Sequence, residues 1–313
     1  MSASGGTKAV VAALLANLSI AVMKFVAFAI TRSSSMLAEG VHSVADSGNQ
    51  VLLLIGGKRA QRAANAEHPF GYGRDRYIYG FLVALVLFTV GGMFALYEGI
   101  EKIRHPHELD KAWIAIAVLV GAIIAESFSL RTAVSEANHV RRGESWVEFI
   151  RRAKSPELPV VLLEDIAALT GLVLALLGVS LTLLTDDAVW DGIGTIAIGV
   201  LLLIVAVVLI VETKSLLLGE GASTAMLSAI TAAILGPGVD RIIHLRTLHL
   251  GPDELLVAAK VAMPAGANLA QVAEAIDEAE ARIRKVAPVA RVIYLEPDLD
   301  RSAPEPEPKE ATP

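Results

Sequence analysis

Glu39, His42 and Asp46 are the residues of this sequence whose types and spacing can do chemistry. They sit in residues 38–50, Ala-Glu-Gly-Val-His-Ser-Val-Ala-Asp-Ser-Gly-Asn-Gln, within a stretch that reads as a membrane-spanning helix. Ionisable groups are costly there and usually mark function. The spacing i, i+3, i+7 stacks the three along one helix face. One imidazole and two carboxylates make a nitrogen and oxygen donor set for a borderline divalent cation. A buried polar cluster pinning neighbouring helices is the alternative. Packing alone needs no ionisable group, and here three are aligned, which favours the cation.

Two more carboxylates, Glu164 and Asp165, open a later apolar run. Adjacent residues on a helix point about 100° apart, so only one of them can face the first stripe. Glu164 shares its face with Ala167, Ala168, Gly171, Ala175 and Gly178, small residues suited to close helix packing. Asp165 shares its face with Leu169, Leu172 and Leu176, a lipid-facing or bulky side. Glu164 is therefore expected to complete the site, and Asp165 to cap the helix end or pair with Lys154. Glu126, deep in another run, either pairs between helices or relays protons. Lys24 either snorkels or forms an ion pair, and His68 either binds metal or caps its turn.

Elements that position these residues follow from composition. The chain is 54% hydrophobic and 19% charged, and its apolar residues cluster in long runs, which places it in the membrane class. At about 20 residues per span, six helices are expected, over 9–31, 34–57, 77–100, 112–133, 159–184 and 191–213. With no cysteine, disulfides and thiolate metal sites are excluded. The net charge of −6 comes with no broad basic surface, so no nucleic-acid partner is expected. The first apolar run is too long for a signal-peptide core and is read as a span. The short polar start is no transit peptide, which favours a bacterial plasma membrane. Lys and Arg crowd the second and fourth loops, so both termini are expected in the cytoplasm. Trp146, Phe149 and Ile150 form one face of a short amphipathic helix, read as lying on the membrane surface.

From about 216 the pattern becomes that of a water-exposed domain. A helix over 223–235 is stopped by Gly236-Pro-Gly238. Strands at 241–250 and 254–263 turn at Gly251-Pro-Asp253, and a helix over 268–286 precedes a strand at 290–296. The order αββαβ implies a small α+β, ferredoxin-like sandwich. Domains are thus expected at 1–215 and 216–300, with a disordered Pro-Glu tail at 301–313.

His42-x-x-x-Asp46, six spans and the αββαβ tail resemble the cation diffusion facilitator family over nearly all of residues 8–298. Glu39-x-x-His42, His68-Pro-Phe-Gly71, Arg76-Tyr77-Ile78 and Leu158-Pro-Val-Val-Leu-Leu-Glu-Asp-x-Ala-Ala168 are similar to its zinc transporter nine branch. The resemblance implies a homodimeric secondary transporter that exports Zn²⁺ in exchange for protons, with no prosthetic group and no enzymatic activity. The family's second His-x-x-x-Asp, on helix five, is replaced here by Leu163-Glu164-Asp165-Ile166-Ala167-Ala168. That leaves His42, Asp46 and Glu164 as ligands, with Glu39 adding a ligand or a gate charge. Carboxylate in place of a second His moves preference toward Mn²⁺ or Fe²⁺, and Co²⁺ also belongs to the class. A non-transporting partner subunit is the other alternative. Asn65, His68 and Tyr72 stand in the loop site, and Tyr294 stands where the tail domain of relatives has a His. The tail is therefore expected to serve dimer contact more than metal sensing.

Overall fold

A computed structural model describes residues 3–31, 34–105, 112–141 and 143–299, with the side chains of 3–5, 31, 34–39, 41, 42 and 45 outside that description. The chain divides between Leu218 and Gly219 into two compact units. The first holds α1 (Ala3–Thr31), α2 (Ser34–Arg59), α3 (Asp75–Val86), a π-helical stretch (Leu87–Met93), α4 (Phe94–Arg104), α5 (Ala112–Arg141), α6 (Trp146–Arg152), α7 (Glu157–Thr185) and α8 (Val189–Leu218). The helices run past their apolar cores because backbone hydrogen bonding continues where hydropathy stops. α5 extends to Arg141, well beyond the apolar run that ends near 133.

Five helices among the described residues are long and apolar enough to cross a membrane: Gly6–Ile30, Asp75–Arg104, Ala112–Arg141, Glu157–Thr185 and Val189–Leu218. The sixth expected span, α2, is 26 residues long, which is sufficient length. Its polar stripe keeps it outside that set. α1 packs against α2 and α5, α5 against α7, and α7 against α8, while α8 runs along α3, the π-helical stretch and α4. Small residues set the last approach. A Cβ on Gly92 would stand 2.5 Å from a Leu203 methyl, and one on Gly99 would stand 2.8 Å from the Ile196 backbone nitrogen. Lys102 adds an ion pair across the same interface, 3.0 Å from Asp191.

α7 begins where the proline pattern directs, with Pro156 at its N-cap and Pro159 in the first turn, where a missing N–H costs nothing. The short helix α6 departs from expectation. Ser145 caps it by accepting from the Glu148 backbone N–H at 3.2 Å. Phe149 is buried in the same apolar cluster as Leu158, Val160 and Leu162. The amphipathic face thus enters the core of the helical unit, while Trp146 stacks under the Arg141 guanidinium at 4.2 Å.

The second unit orders α9 (Thr224–Ile234), β1 (Arg241–Gly251), β2 (Glu254–Met263), α10 (Leu269–Val286) and β3 (Val292–Leu299). Asn268 and Gln271 close a reciprocal capping box at the start of α10. The sheet order is β1-β2-β3, antiparallel then parallel, with Val257, Val261, Ile283 and Ile293 in its core. β3 continues through Pro297 to Leu299, beyond the expected end at 296. An edge strand tolerates proline because one side of its backbone has no ladder partner. The tail expected to be disordered, 301–313, lies outside the described residues.

Candidate functional site

The polar stripe of α2 and Glu164 of α7 meet inside the helical unit. Glu164 is buried, and both of its oxygens accept hydrogen bonds from α2: Oε1 from Asn49 Nδ2 at 3.1 Å and Oε2 from Gln50 Nε2 at 2.9 Å. Gln50 in turn accepts from Asn17 Nδ2 on α1 at 3.2 Å. Three helices are thereby tied at one level by amides, whose fixed geometry orients a carboxylate at little charge cost. Gln50 uses both ends of its amide. Asn49 uses one: its Oδ1 is buried and has no partner among the described residues. Leaving such an acceptor unpaired costs about 1–3 kcal/mol.

Asp165 is only 2% exposed and accepts from Ser129 Oγ of α5 at 2.7 Å. This corrects the reading of Asp165 as a helix cap paired with Lys154, and of the two alternatives for its face, lipid or bulky packing, the carboxylate takes the second. The leucines that share its helical face are only half-buried, so the stripe itself does not mark position 165 as buried; the contact with α5 does. The two neighbours on α7 therefore serve different helices, Glu164 turning to α2 and Asp165 to α5.

Glu126 is buried on α5 and lies within electrostatic range of Asp165, Glu164 and Asp46, and of Lys24 on α1. Asp46 is half-buried. Positions 39 and 42 belong to α2, but the side chains of Glu39 and His42 lie outside the described residues. Among the described residues no three His, Asp or Glu side chains stand together as a metal-holding group. Asn17, Asn49, Gln50 and Ser129 are the site residues that sequence reasoning missed. Asn49 carried a legible signal, since it prolongs the 39, 42, 46 stripe by three residues; Asn17 and Ser129 carried none.

The loop candidate is a structured turn. Asn65 Oδ1 accepts from the His68 backbone N–H at 2.7 Å, Asn65 Nδ2 donates to Tyr72 at 3.0 Å, and the His68 ring stacks on Tyr72 at 4.4 Å. In the second unit, His244 pairs in register with Lys260 while His249 is buried opposite Leu255, so the two point to opposite faces of β1. Lys260 is claimed by two carboxylates, Asp298 at 3.0 Å and Glu296 at 3.1 Å. These hold its ammonium above the ordinary lysine range, the Asp298 hydrogen bond being the larger cause.

Residues 10–218 match the family model described as the cation efflux transmembrane domain. The chain is 29% identical over 260 residues to the mitochondrial proton-coupled zinc antiporter of Homo sapiens, covering 82% of this chain and 46% of that protein. It is 28% identical over 257 residues to metal tolerance protein C4 of Arabidopsis thaliana, covering 81% and 56%. A shorter match, 30% over 131 residues and 40% of each chain, is to magnetosome protein MamM of Paramagnetospirillum magneticum. The chain spans about half the length of the first two relatives. Its helical unit is a cation efflux domain almost from end to end, and the chain belongs to the cation diffusion facilitator family.

Proposed function

We propose that this protein is a secondary transporter exporting a divalent metal cation, Zn²⁺ first, from the cytoplasm in exchange for protons. The observation that carries the reading is the buried Glu164 carboxylate, drawn from α7 onto α2 one turn from Asp46. His42, Asp46 and Glu164 are the proposed ligands of the ion, with Glu39 one turn before His42 and Asp165 beside Glu164. The relative named as a proton-coupled zinc antiporter supports both the ion and the counter-ion. Ligands must be deprotonated to hold a metal, so metal binding releases protons. Protons arriving from one face then displace the ion, and the ion arriving from the other displaces protons. Rocking of helix groups around a fixed site supplies alternating access.

In this reading α2 is the sixth span, since a helix whose polar groups face protein can cross a bilayer despite its low hydropathy. The tail unit is ferredoxin-like and supports a homodimer. Both termini face the cytoplasm, as the Lys and Arg of the second and fourth loops direct. The membrane proposed is a bacterial plasma membrane; the relative named as mitochondrial makes an organelle membrane the competing site.

The test is uptake by proteoliposomes of the purified chain, comparing Zn²⁺, Mn²⁺, Co²⁺ and Fe²⁺ under an imposed pH gradient. Gradient-dependent Zn²⁺ flux is expected. Preference for Mn²⁺ or Fe²⁺ would reassign the cargo within the class. Absence of flux for every ion would point to a non-transporting partner subunit.

A further inference from the structure

We propose that the side-chain carbonyl of Asn49 is a ligand of the transported cation and sets its preference among divalent ions. The inference rests on the transporter reading above and adds a residue to it.

Two amides on successive positions of α2 hold Glu164, yet they are used differently. Gln50 is closed at both ends, donating to Glu164 and accepting from Asn17. That chain alone anchors the carboxylate between α1, α2 and α7. Asn49 donates to the other Glu164 oxygen and leaves Oδ1 without a partner among the described residues, at a residue 1% exposed. With Glu164 ionised, as a metal ligand must be, the amide has to present its N–H to that oxygen and leave Oδ1 free to face the ion.

The surroundings say what would satisfy that oxygen. Asp46, one helical turn earlier, and Glu164 are acceptors when ionised, and an added acceptor beside them is met by a cation. Asn49 follows Asp46 by three residues and position 42 by seven, so it continues the same helix stripe. A neutral oxygen beside Glu164 adds a donor to the carboxylates already there. With His42, Asp46 and Glu164 it brings the set to one nitrogen and three oxygens, the count a tetrahedral ion takes. Amide and carboxylate oxygens are hard donors, so Asn49 favours Mn²⁺ relative to a set with a second imidazole.

The alternative role is positional: Asn49 serves only to hold Glu164 through its N–H. Three variants of the full chain in proteoliposomes separate the two. Asn49→Ala removes both functions, Asn49→Asp keeps an oxygen and loses the N–H, and Asn49→His can donate to Glu164 while offering nitrogen to the ion. If Asn49 is a ligand, Asn49→Ala raises the transport KM about tenfold or more, and Asn49→Asp recovers most of that loss. Asn49→His then shifts the Zn²⁺ to Mn²⁺ selectivity ratio toward Zn²⁺ by about fivefold or more.

Visible absorption of Co²⁺ bound to each detergent-solubilised variant reports coordination independently of flux, and its spectrum should change in Asn49→Ala and Asn49→His. The proposal is overturned if Asn49→Asp is as impaired as Asn49→Ala while Asn49→His transports with the wild-type metal order and Co²⁺ spectrum. It is overturned as well if Asn49→Ala matches wild type. A wild-type chain that binds and moves none of these ions instead overturns the transporter reading itself.

Discussion

Arg76, at the start of α3, pairs with Glu157, at the start of α7, with Nε 3.3 Å from Oε1 and both side chains about nine-tenths buried. Around them Gly80 lets α3 approach closely: a Cβ there would lie 3.2 Å from Pro156. A buried pair contributes little net stability against an apolar substitute, but breaking one strands a charge. Glu157→Gln should therefore destabilise the helical unit by about 3–5 kcal/mol. The exposed pair Arg152–Glu148 is the internal comparison, and Glu148→Gln should cost under about 1 kcal/mol. Thermal unfolding of both variants in detergent checks this, and equal midpoints would remove the distinction.

The neighbours Glu164 and Asp165 should differ in flux. Glu164→Gln keeps the size of the side chain and removes the charge that faces α2, and transport should fall to background. Asp165→Asn can retain the Ser129 bond, because its amide oxygen still accepts, and substantial transport should remain. Flux and its pH dependence in proteoliposomes decide the matter. A dead Asp165→Asn beside a fully active Glu164→Gln would reverse the assignment.

His42→Ala and Asp46→Ala should each abolish transport while leaving a folded dimer, since each takes a donor from a set that is already small. Size-exclusion chromatography controls for folding. Normal flux in either purified variant would remove the α2 stripe from the site.

Lys260 gives the tail unit a defined pH signature. Its folded-state pKa is raised by Asp298 and Glu296 above the ordinary 10.5. A group raised in this way stabilises the fold fully below its unfolded pKa, and the contribution is lost as pH rises through the folded value. Lys260→Met should therefore lower the unfolding midpoint of the tail unit at neutral pH, and the gap should close above about pH 10.5. A gap constant from pH 7 to 12 would mean that the ammonium contributes nothing. Because this cation already occupies the two carboxylates of β3, the Asp46→Ala chain should show no sub-micromolar Zn²⁺ site in the tail unit by calorimetry.

Apolar runs, proline and glycine punctuation and helical spacing determined much about this protein before any coordinates. They placed the helix starts at 34, 112 and near 157 and the hairpin at Gly251-Pro-Asp253. Those features are local, since each is set by backbone hydrogen bonding and by side chains within a turn or two. What a helical face meets is not local. Asn49 and Glu164 are 115 residues apart in the chain, as Ser129 and Asp165 are 36 apart. No periodicity encodes those partners, and so the leucines around Asp165 left lipid and protein both open, while the carboxylate itself meets α5. Phe149 was misplaced for the same reason: an amphipathic face fits a membrane surface and a protein groove equally well. Only tertiary packing decided which of two adjacent carboxylates turned to α2, because a 100° step on one helix acquires meaning once its neighbours are in place.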